Sequence, residues 1–360
     1  MKNVMLWVGA GQIGMAIARR MGVGMKIVVG DKRIENAQAV AGIMNEAGFD
    51  VTPVETDLSS RESIISLISE GQKYGRIKML VNAAGVSPSQ APIEAILKVD
   101  LYGTAVLLEE VGGVIAEGGV GVTISSQSGW RMPALTAEQD ELLATAPTEK
   151  LLSLDFLRPE NIRDTLHAYQ MAKRCNEKRV MAQAVEWGKR GARLNAIAPG
   201  IIVTPLALDE FNGPRGDFYK NMFANCPAGR PGTADEVANV AELLMGEKGA
   251  FTGSKKAAAM TQAISAYWQT ISTMRASDGT FGMKKAACSG ITAMCGQTAA
   301  ALWTSTTATS RTSPKNTGSV YPPPLSAPLP HGRRNSPNDK ICTFDIALRF
   351  GYSIIKTIRK

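Results

Sequence analysis

Short apolar runs rich in β-branched residues recur through the first 200 positions, at 4–8, 27–29, 51–54, 79–81, 120–124 and 194–197, with longer helix-like stretches between them. Such short, mostly apolar runs separated by helix-like stretches predict strands buried on both faces, joined by right-handed helical crossovers in a parallel sheet. The pattern is that of an α/β protein built on a doubly wound parallel sheet. Residues 130–167 break the rhythm with a segment rich in Glu, Asp and Leu and punctuated by Pro133, Pro147 and Pro159, which predicts one or two short helices outside the sheet. After Ser254 the texture changes: Glu disappears, Ser and Thr become dense, and Tyr321 opens a proline-rich stretch that runs to Pro330. With so little apolar periodicity, residues 255–360 predict a largely irregular tail that buries no core of its own.

Charge sharpens that division. The whole chain carries a formal charge of +8, but residues 255–360 hold 14 Lys/Arg against three Asp, leaving residues 1–254 with 26 basic and 29 acidic groups. The basic balance therefore belongs to the tail, where it is dispersed without an aromatic or helical pattern, and it argues for no nucleic-acid partner. No apolar run reaches 18 residues, so no membrane partner is expected. Met5 to Ala18 imitates a signal peptide, but glycines at nucleotide-loop spacing and a second strand-like run directly behind it argue against that reading. Five scattered cysteines and two histidines suit neither a disulfide framework nor a metal site, and a cytoplasmic location is expected.

The first strand runs into Gly9-Ala-Gly-Gln-Ile-Gly14 and then into a helical pattern. Glycines there let backbone N–H groups approach a pyrophosphate, and the helix N-terminus behind them adds partial positive charge, so Gly9, Gly11, Gln12, Ile13 and Gly14 are candidate dinucleotide-binding residues. The second strand ends in Asp31, whose carboxylate can accept from both adenine-ribose hydroxyls and would repel the 2′-phosphate of NADP. NAD is the expected cofactor and NADP the less favoured one, although Lys32 and Arg33 could each pair with that phosphate. Asp57 and Leu58, after the third strand, are candidates for the adenine end.

Tyr169-Gln-Met-Ala-Lys173 sets a phenol and an ammonium four residues apart on one helix face. A cation so placed favours phenolate, preparing the group to exchange a proton with an alcohol or ketone. The pair alone proves little, since seven Tyr and twenty Lys give about 0.4 such spacings by chance. Its weight comes from order along the chain. The glycine loop comes first, then Asn82-Ala-Ala-Gly85, Ile124-Ser-Ser-Gln-Ser-Gly129, the Tyr169/Lys173 pair and Asn195-Ala-Ile-Ala-Pro-Gly200, most of them directly after a strand-like run.

This series resembles the short-chain dehydrogenase/reductase family across residues 1–254, about 70% of the chain. The resemblance implies a Rossmann-like fold and NAD(P)-dependent hydride transfer between nicotinamide and a secondary alcohol or ketone, with a small-molecule substrate and no metal. It implies that Tyr169 is the general acid/base, that Lys173 holds the nicotinamide ribose and assists Tyr169, and that Ser126, three residues before Gly129, binds the substrate oxygen. Asn82, Ala83 and Gly85 would line the adenosine side. Pro199, Gly200, Ile202 and Thr204 would shape the nicotinamide pocket. His167 and Cys175 read as a helix-entry residue and a packed helix residue.

Three departures stand out. Val8 replaces the family's threonine before the first glycine, follows an unusual strand tryptophan, Trp7, and opens a loop one residue short, which predicts a looser turn. Asp100 replaces the family's asparagine and cannot donate when ionised. Ser126 and Tyr169 have 42 residues between them, against roughly a dozen in the family pattern. The long insert is similar to that of the bacterial 3α-hydroxysteroid dehydrogenase/carbonyl reductase subgroup, which implies a bulky apolar ketone or alcohol. The final strand expected soon after Ala250-Phe-Thr-Gly-Ser254 meets Lys255-Lys-Ala-Ala-Ala-Met260 instead. The tail therefore reads as an out-of-frame or foreign extension, and its replacement of the usual ending argues against the homo-oligomer that the resemblance implies. Two competing readings are a non-catalytic dinucleotide-binding protein and an enzyme inactivated by the replaced C-terminus.

Overall fold

The computed structural model describes residues 2–213, 216–252, 346–349 and 352–355. The chain divides into two units, Met1–Gly282 and Met283–Lys360. In the first, strands and helices alternate as β1 (Lys2–Val8), α1 (Gln12–Met21), β2 (Lys26–Asp31), α2 (Ile34–Glu46), β3 (Asp50–Glu55), α3 (Arg61–Tyr74) and β4 (Gly75–Asn82). There follow α4 (Ile93–Ile96), a π-helical stretch (Leu97–Gly103), α5 (Thr104–Val114), β5 (Val120–Ile124), α6 (Ala137–Thr145), α7 (Thr165–Lys189) and β6 (Arg193–Ile197). Helices α8 (Pro205–Asn212), α9 (Gly216–Asn225) and α10 (Ala234–Met245) complete this unit among the described residues.

The six strands lie in the order β3-β2-β1-β4-β5-β6, every pair parallel. Chain order reverses between β1 and β4, which opens a crevice at the carboxyl ends of those strands, the place where doubly wound sheets bind ligands. Side-chain alternation on β1 explains why that strand reads as continuously apolar. Val4, Leu6 and Val8 join Ile64, Leu67, Leu107 and Trp187 on one face, while Met5 and Trp7 join Ile17, Ala41, Val237 and Ala241 on the other. Both faces are thus covered by helices, and burying each large apolar side chain contributes about 1.5–3 kcal/mol. Pro53 is tolerated because β3 is an edge strand. At the other end of the sheet among the described residues, the Arg193 guanidinium donates to the carbonyls of Leu244 and Gly249 at 2.7 and 2.8 Å, tying β6 to the C-terminal end of α10, where backbone carbonyls concentrate negative charge.

Residues 130–167 do lie outside the sheet, as α6 and three short 3₁₀ turns. The segment ends slightly earlier than expected, because Asp164 accepts from the backbone N–H of His167 and starts α7 at Thr165. Leu143, Leu151, Leu157 and Ile162 of this segment pack on Ile96, Leu97 and Leu101 and on Ala168, Met171 and Cys175 of α7, forming a third apolar cluster over the helix that carries Tyr169. In the tail, β7 (Ile346–Arg349) and β8 (Tyr352–Ile355) form an antiparallel pair, so the tail is not irregular throughout. Residues 257–267, where the seventh strand was expected to be missing, lie outside the described residues.

Candidate active site

At the head of the crevice, Gly9 has φ +88°, and a Cβ there would come within 2.5 Å of the Ala84 backbone. Only glycine lets the first loop lie against the segment after β4, and that contact carries Ala83 beside it, with Ala83 N–H donating to the Val8 carbonyl at 2.9 Å. The turn is not loose despite the missing threonine. The Trp7 indole N–H donates to the Gly9 carbonyl at 2.7 Å, and Gly9 N–H donates to the Gly30 carbonyl at 2.8 Å. Trp7 also dictates Gly14, where a Cβ would stand 2.1 Å from the indole nitrogen. Gly11 faces open space, and it caps α1 with no side-chain hydrogen bond and no acidic residue in the first turn. The N–H groups of the first turn ahead of Met15, whose own N–H donates to the Gly11 carbonyl, are left without side-chain compensation, an arrangement that fits a pyrophosphate.

Asp31, at the end of β2, turns its carboxylate toward this loop and accepts from Ala10 N–H at 2.9 Å and Arg33 N–H at 3.0 Å. Lys32 reaches across to Asp57, Nζ to Oδ2 3.0 Å. The other Asp57 oxygen accepts from the N–H and hydroxyl of Ser59. Although its partial burial works the other way, these hydrogen bonds and the Lys32 ammonium hold the Asp57 carboxyl below the usual range. The Leu58 side chain is buried in the core, so only its backbone could meet a ligand. Asn82 is buried at the end of β4 and donates to the Thr104 hydroxyl.

The structure brings Asp100, Tyr169 and Lys173 together. The Lys173 ammonium lies 5.3 Å from the centre of the Tyr169 ring and 3.3 Å from Asp100 Oδ2. Both members of that ion pair are buried. Asp100 Oδ1 accepts from Val86 N–H at 2.8 Å, whereas Oδ2 makes no hydrogen bond and meets Lys173 as an ion pair alone. Gly85 is small for this reason, since a Cβ would come within 3.0 Å of Asp100 Oδ2 and 3.1 Å of Lys173 Nζ. Burial pushes the Asp100 carboxyl up. Burial alone would push the Lys173 ammonium down, but the charges of Asp100 and Tyr169 outweigh it and hold the ammonium above the ordinary lysine value. Asp100 sits in the π-helical stretch, and its backbone carbonyl accepts from the Asn176 amide at 2.8 Å in the orientation that also satisfies the Ala172 carbonyl.

Ser126 opens the loop after β5, half-buried, its hydroxyl accepting from Ser128 N–H. Gly129 presses that loop onto α7, where a Cβ would stand 2.7 Å from Arg174 N. The loop after β6 joins it: the Pro199 carbonyl accepts from Gln127 N–H at 3.0 Å, and Gly200 lies against the Gln127 amide. Ile202 packs against the core beside Gly232, and the Thr204 hydroxyl accepts from Ala207 N–H at the start of α8. The sequence marks Trp7 only as an unusual strand residue with no role assigned, and it does not mark Gln127, Asn176 or Glu177. Glu177 alone left a signal, one helical turn beyond Lys173. His167 Nδ1 accepts from Arg163 N–H at the helix entry, and burial pushes the Cys175 thiol up to about 11.

Residues 3–137 match the family model described as short chain dehydrogenase, and residues 133–259 match the one described as enoyl-(acyl carrier protein) reductase. The short-chain dehydrogenase/reductase bsc3 of Alternaria brassicicola is 35% identical over 257 residues, covering 69% of this chain and 91% of that protein. The 7alpha-hydroxysteroid dehydrogenase of Bacteroides fragilis is 27% identical over 266 residues, covering 70% and 90%. A short-chain dehydrogenase from Burkholderia cenocepacia, solved in complex with NADP, shares the fold with a TM-score of 0.54 at 21% identity, covering 70% of this chain and 93% of that one.

Proposed function

Because the chain belongs to the short-chain dehydrogenase/reductase family, whose members are oxidoreductases acting on CH–OH groups with nicotinamide cofactors, we propose that Tyr169, Lys173 and Ser126 interconvert a bulky secondary alcohol and its ketone. The observation that carries this reading is the half-buried Tyr169 set beside the buried Lys173–Asp100 pair. The residues around Gly11 would hold the pyrophosphate, Asp31 the adenine ribose, and Pro199, Gly200 and Thr204 the nicotinamide end. When bound, nicotinamide supplies or accepts the hydride at the carbinol carbon. Tyr169 gives the proton to the substrate oxygen or takes it, and the Lys173 ammonium, kept charged by Asp100, lowers the energy of the phenolate left behind. Ser126 donates to the same oxygen and fixes its position.

Two finer points belong to the same proposal. NAD is favoured over NADP, because Asp31 faces the glycine loop and the Lys32 charge is engaged by Asp57. A bulky, apolar, hydroxysteroid-like substrate suits the shallow pocket beside the serine loop, lined by Trp130, Met132, Pro133, Ala134 and Leu135. A panel of steroid, quinone, sugar and small ketone substrates, followed by cofactor absorbance, tests the reading. Turnover is expected with NADH and an apolar ketone. Binding of NADH with no turnover on any carbonyl would favour a dinucleotide sensor instead.

A further inference from the structure

One buried acid next to this machinery has no part in the chemistry described so far. Glu177 lies on α7 one turn beyond Lys173, inside the protein, and makes no ion pair among the described residues. Its Oε2 accepts from the Trp130 indole N–H at 2.7 Å, and its Oε1 lies 3.1 Å from the Ser125 hydroxyl oxygen. That same hydroxyl lies 2.8 Å from the backbone carbonyl of Lys173. Ser125 directly precedes Ser126, and Trp130 forms a wall of the apolar pocket, so Glu177 touches both ends of the serine loop and the turn that carries Lys173.

The hydrogen bonds open to Glu177 differ between its two forms. A serine hydroxyl has one hydrogen to give. If Glu177 is a carboxylate, Oε1 draws that hydrogen, and the Lys173 carbonyl keeps only its helical bond from the Glu177 N–H. If Glu177 is a carboxylic acid, its O–H donates to Ser125 Oγ, Ser125 donates to the Lys173 carbonyl, and each group is satisfied. The two nearby cations favour the carboxylate, but burial outweighs them. Arg174 and Lys178 flank Glu177 on α7, but Asp140 of α6 takes both, at 2.5 and 2.8 Å. The Arg174 guanidinium also lies flat over the Trp130 ring, 3.9 Å from its centre. From the β5 loop only the neutral Ser125 and Trp130 reach Glu177.

We propose that Glu177 is a positioning residue that, as a neutral carboxylic acid, locks the Lys173 turn of α7 to the serine loop through Ser125 and Trp130. Burial pushes its carboxyl up to about 7, which supports the assignment and places the loss of the lock near that pH. Once Glu177 ionises, Ser125 turns its hydrogen to the carboxylate, the link to Lys173 is released, and Ser126 loses its setting relative to Tyr169. The functional half of this inference rests on the proposed roles of Tyr169 and Ser126.

The test uses the full chain and three variants, Glu177→Gln, Glu177→Ala and Tyr169→Phe. Infrared difference spectra between pH values well below and well above 7 are expected to show a buried carboxylic-acid carbonyl band that titrates in the wild type and is missing in Glu177→Gln. The wild-type kcat is expected to carry a descending limb near pH 7 that Glu177→Gln lacks, since its amide can donate to Ser125 and accept from Trp130. Glu177→Ala should lower kcat about tenfold with NADH affinity kept, and Glu177→Gln should restore it. An infrared band unaffected by Glu177→Gln, or the same limb in wild type and Glu177→Gln, overturns the proposal. High turnover in Tyr169→Phe would instead overturn the catalytic reading, while the infrared band would still report on Glu177.

Discussion

Trp7 and Gly14 constrain each other. The indole occupies the space that a side chain at position 14 would need, and in return its N–H holds the Gly9 carbonyl where other turns of this kind use a hydroxyl. Gly14→Ala is expected to destabilise the fold by about 1–3 kcal/mol in urea unfolding, as overpacked cores do, and to cost much less in a Trp7→Leu background. Equal cost in both backgrounds would show that the indole is not the obstacle. Asp31→Ala should narrow or invert the preference for NAD by removing the ribose acceptor and leaving Lys32 and Arg33 beside the site. A wild-type preference for NADPH of tenfold, about 1.4 kcal/mol, would contradict the role given to Asp31. At this scale the sequence placed Tyr169 and Lys173 by a fixed offset and Asp31 at the end of β2, and the structure sets the first two side by side and turns Asp31 toward the glycine loop. The sequence marked Trp7 as unusual but not its role, which depends on how the loop curls back, and it was silent on Glu177, whose partners come from a loop about 50 residues away.

Helix α7 shows what an element can and cannot announce. The Tyr169/Lys173 face follows from a four-residue spacing, but the same helix buries Asn176, Glu177 and Arg179, and no periodicity reveals which polar residues go inward. The π-helical stretch is equally hidden. Nothing local in Leu97–Gly103 calls for a wider helical turn, and what accompanies it is tertiary, with Asp100 tied to Val86 and Lys173 and its carbonyl taken by Asn176. The strands were plain in the sequence because burial on both faces leaves an unbroken apolar run. A prediction at this scale follows from the raised carboxyl of Glu177. The folded protein holds that proton up to about pH 7, whereas the unfolded chain releases it near 4.5. Stability from this group is therefore full below 4.5 and lost as pH rises toward 7, a change on the order of 3 kcal/mol. Glu177→Gln should flatten that slope in denaturant titrations across the window, and an unchanged slope would assign it to other groups.

Across the whole molecule, the doubly wound sheet gathers residues from distant parts of the chain at one crevice. The glycine loop after β1, Asp31 after β2, the Asn82–Gly85 segment after β4, Ser126 after β5 and Pro199 after β6 all lie at carboxyl ends of parallel strands. The order of these motifs made the fold readable, because each marks the end of a strand and parallel connections carry every such end to the same side. The tail was readable only as a change of composition. The family match ends at residue 259, and a basic, glutamate-free stretch contains no pattern that pairs Ile346–Arg349 with Tyr352–Ile355. The central claim is that Tyr169 exchanges the proton at this crevice while the rest of the site holds the cofactor. Tyr169→Phe tests it most directly, with turnover and NADH affinity measured on the same preparation. Turnover is expected to fall about 10²–10⁴-fold with the NADH dissociation constant within about twofold of wild type, since only the hydroxyl is removed and the ring still packs; a variant that keeps most of its turnover would contradict the account.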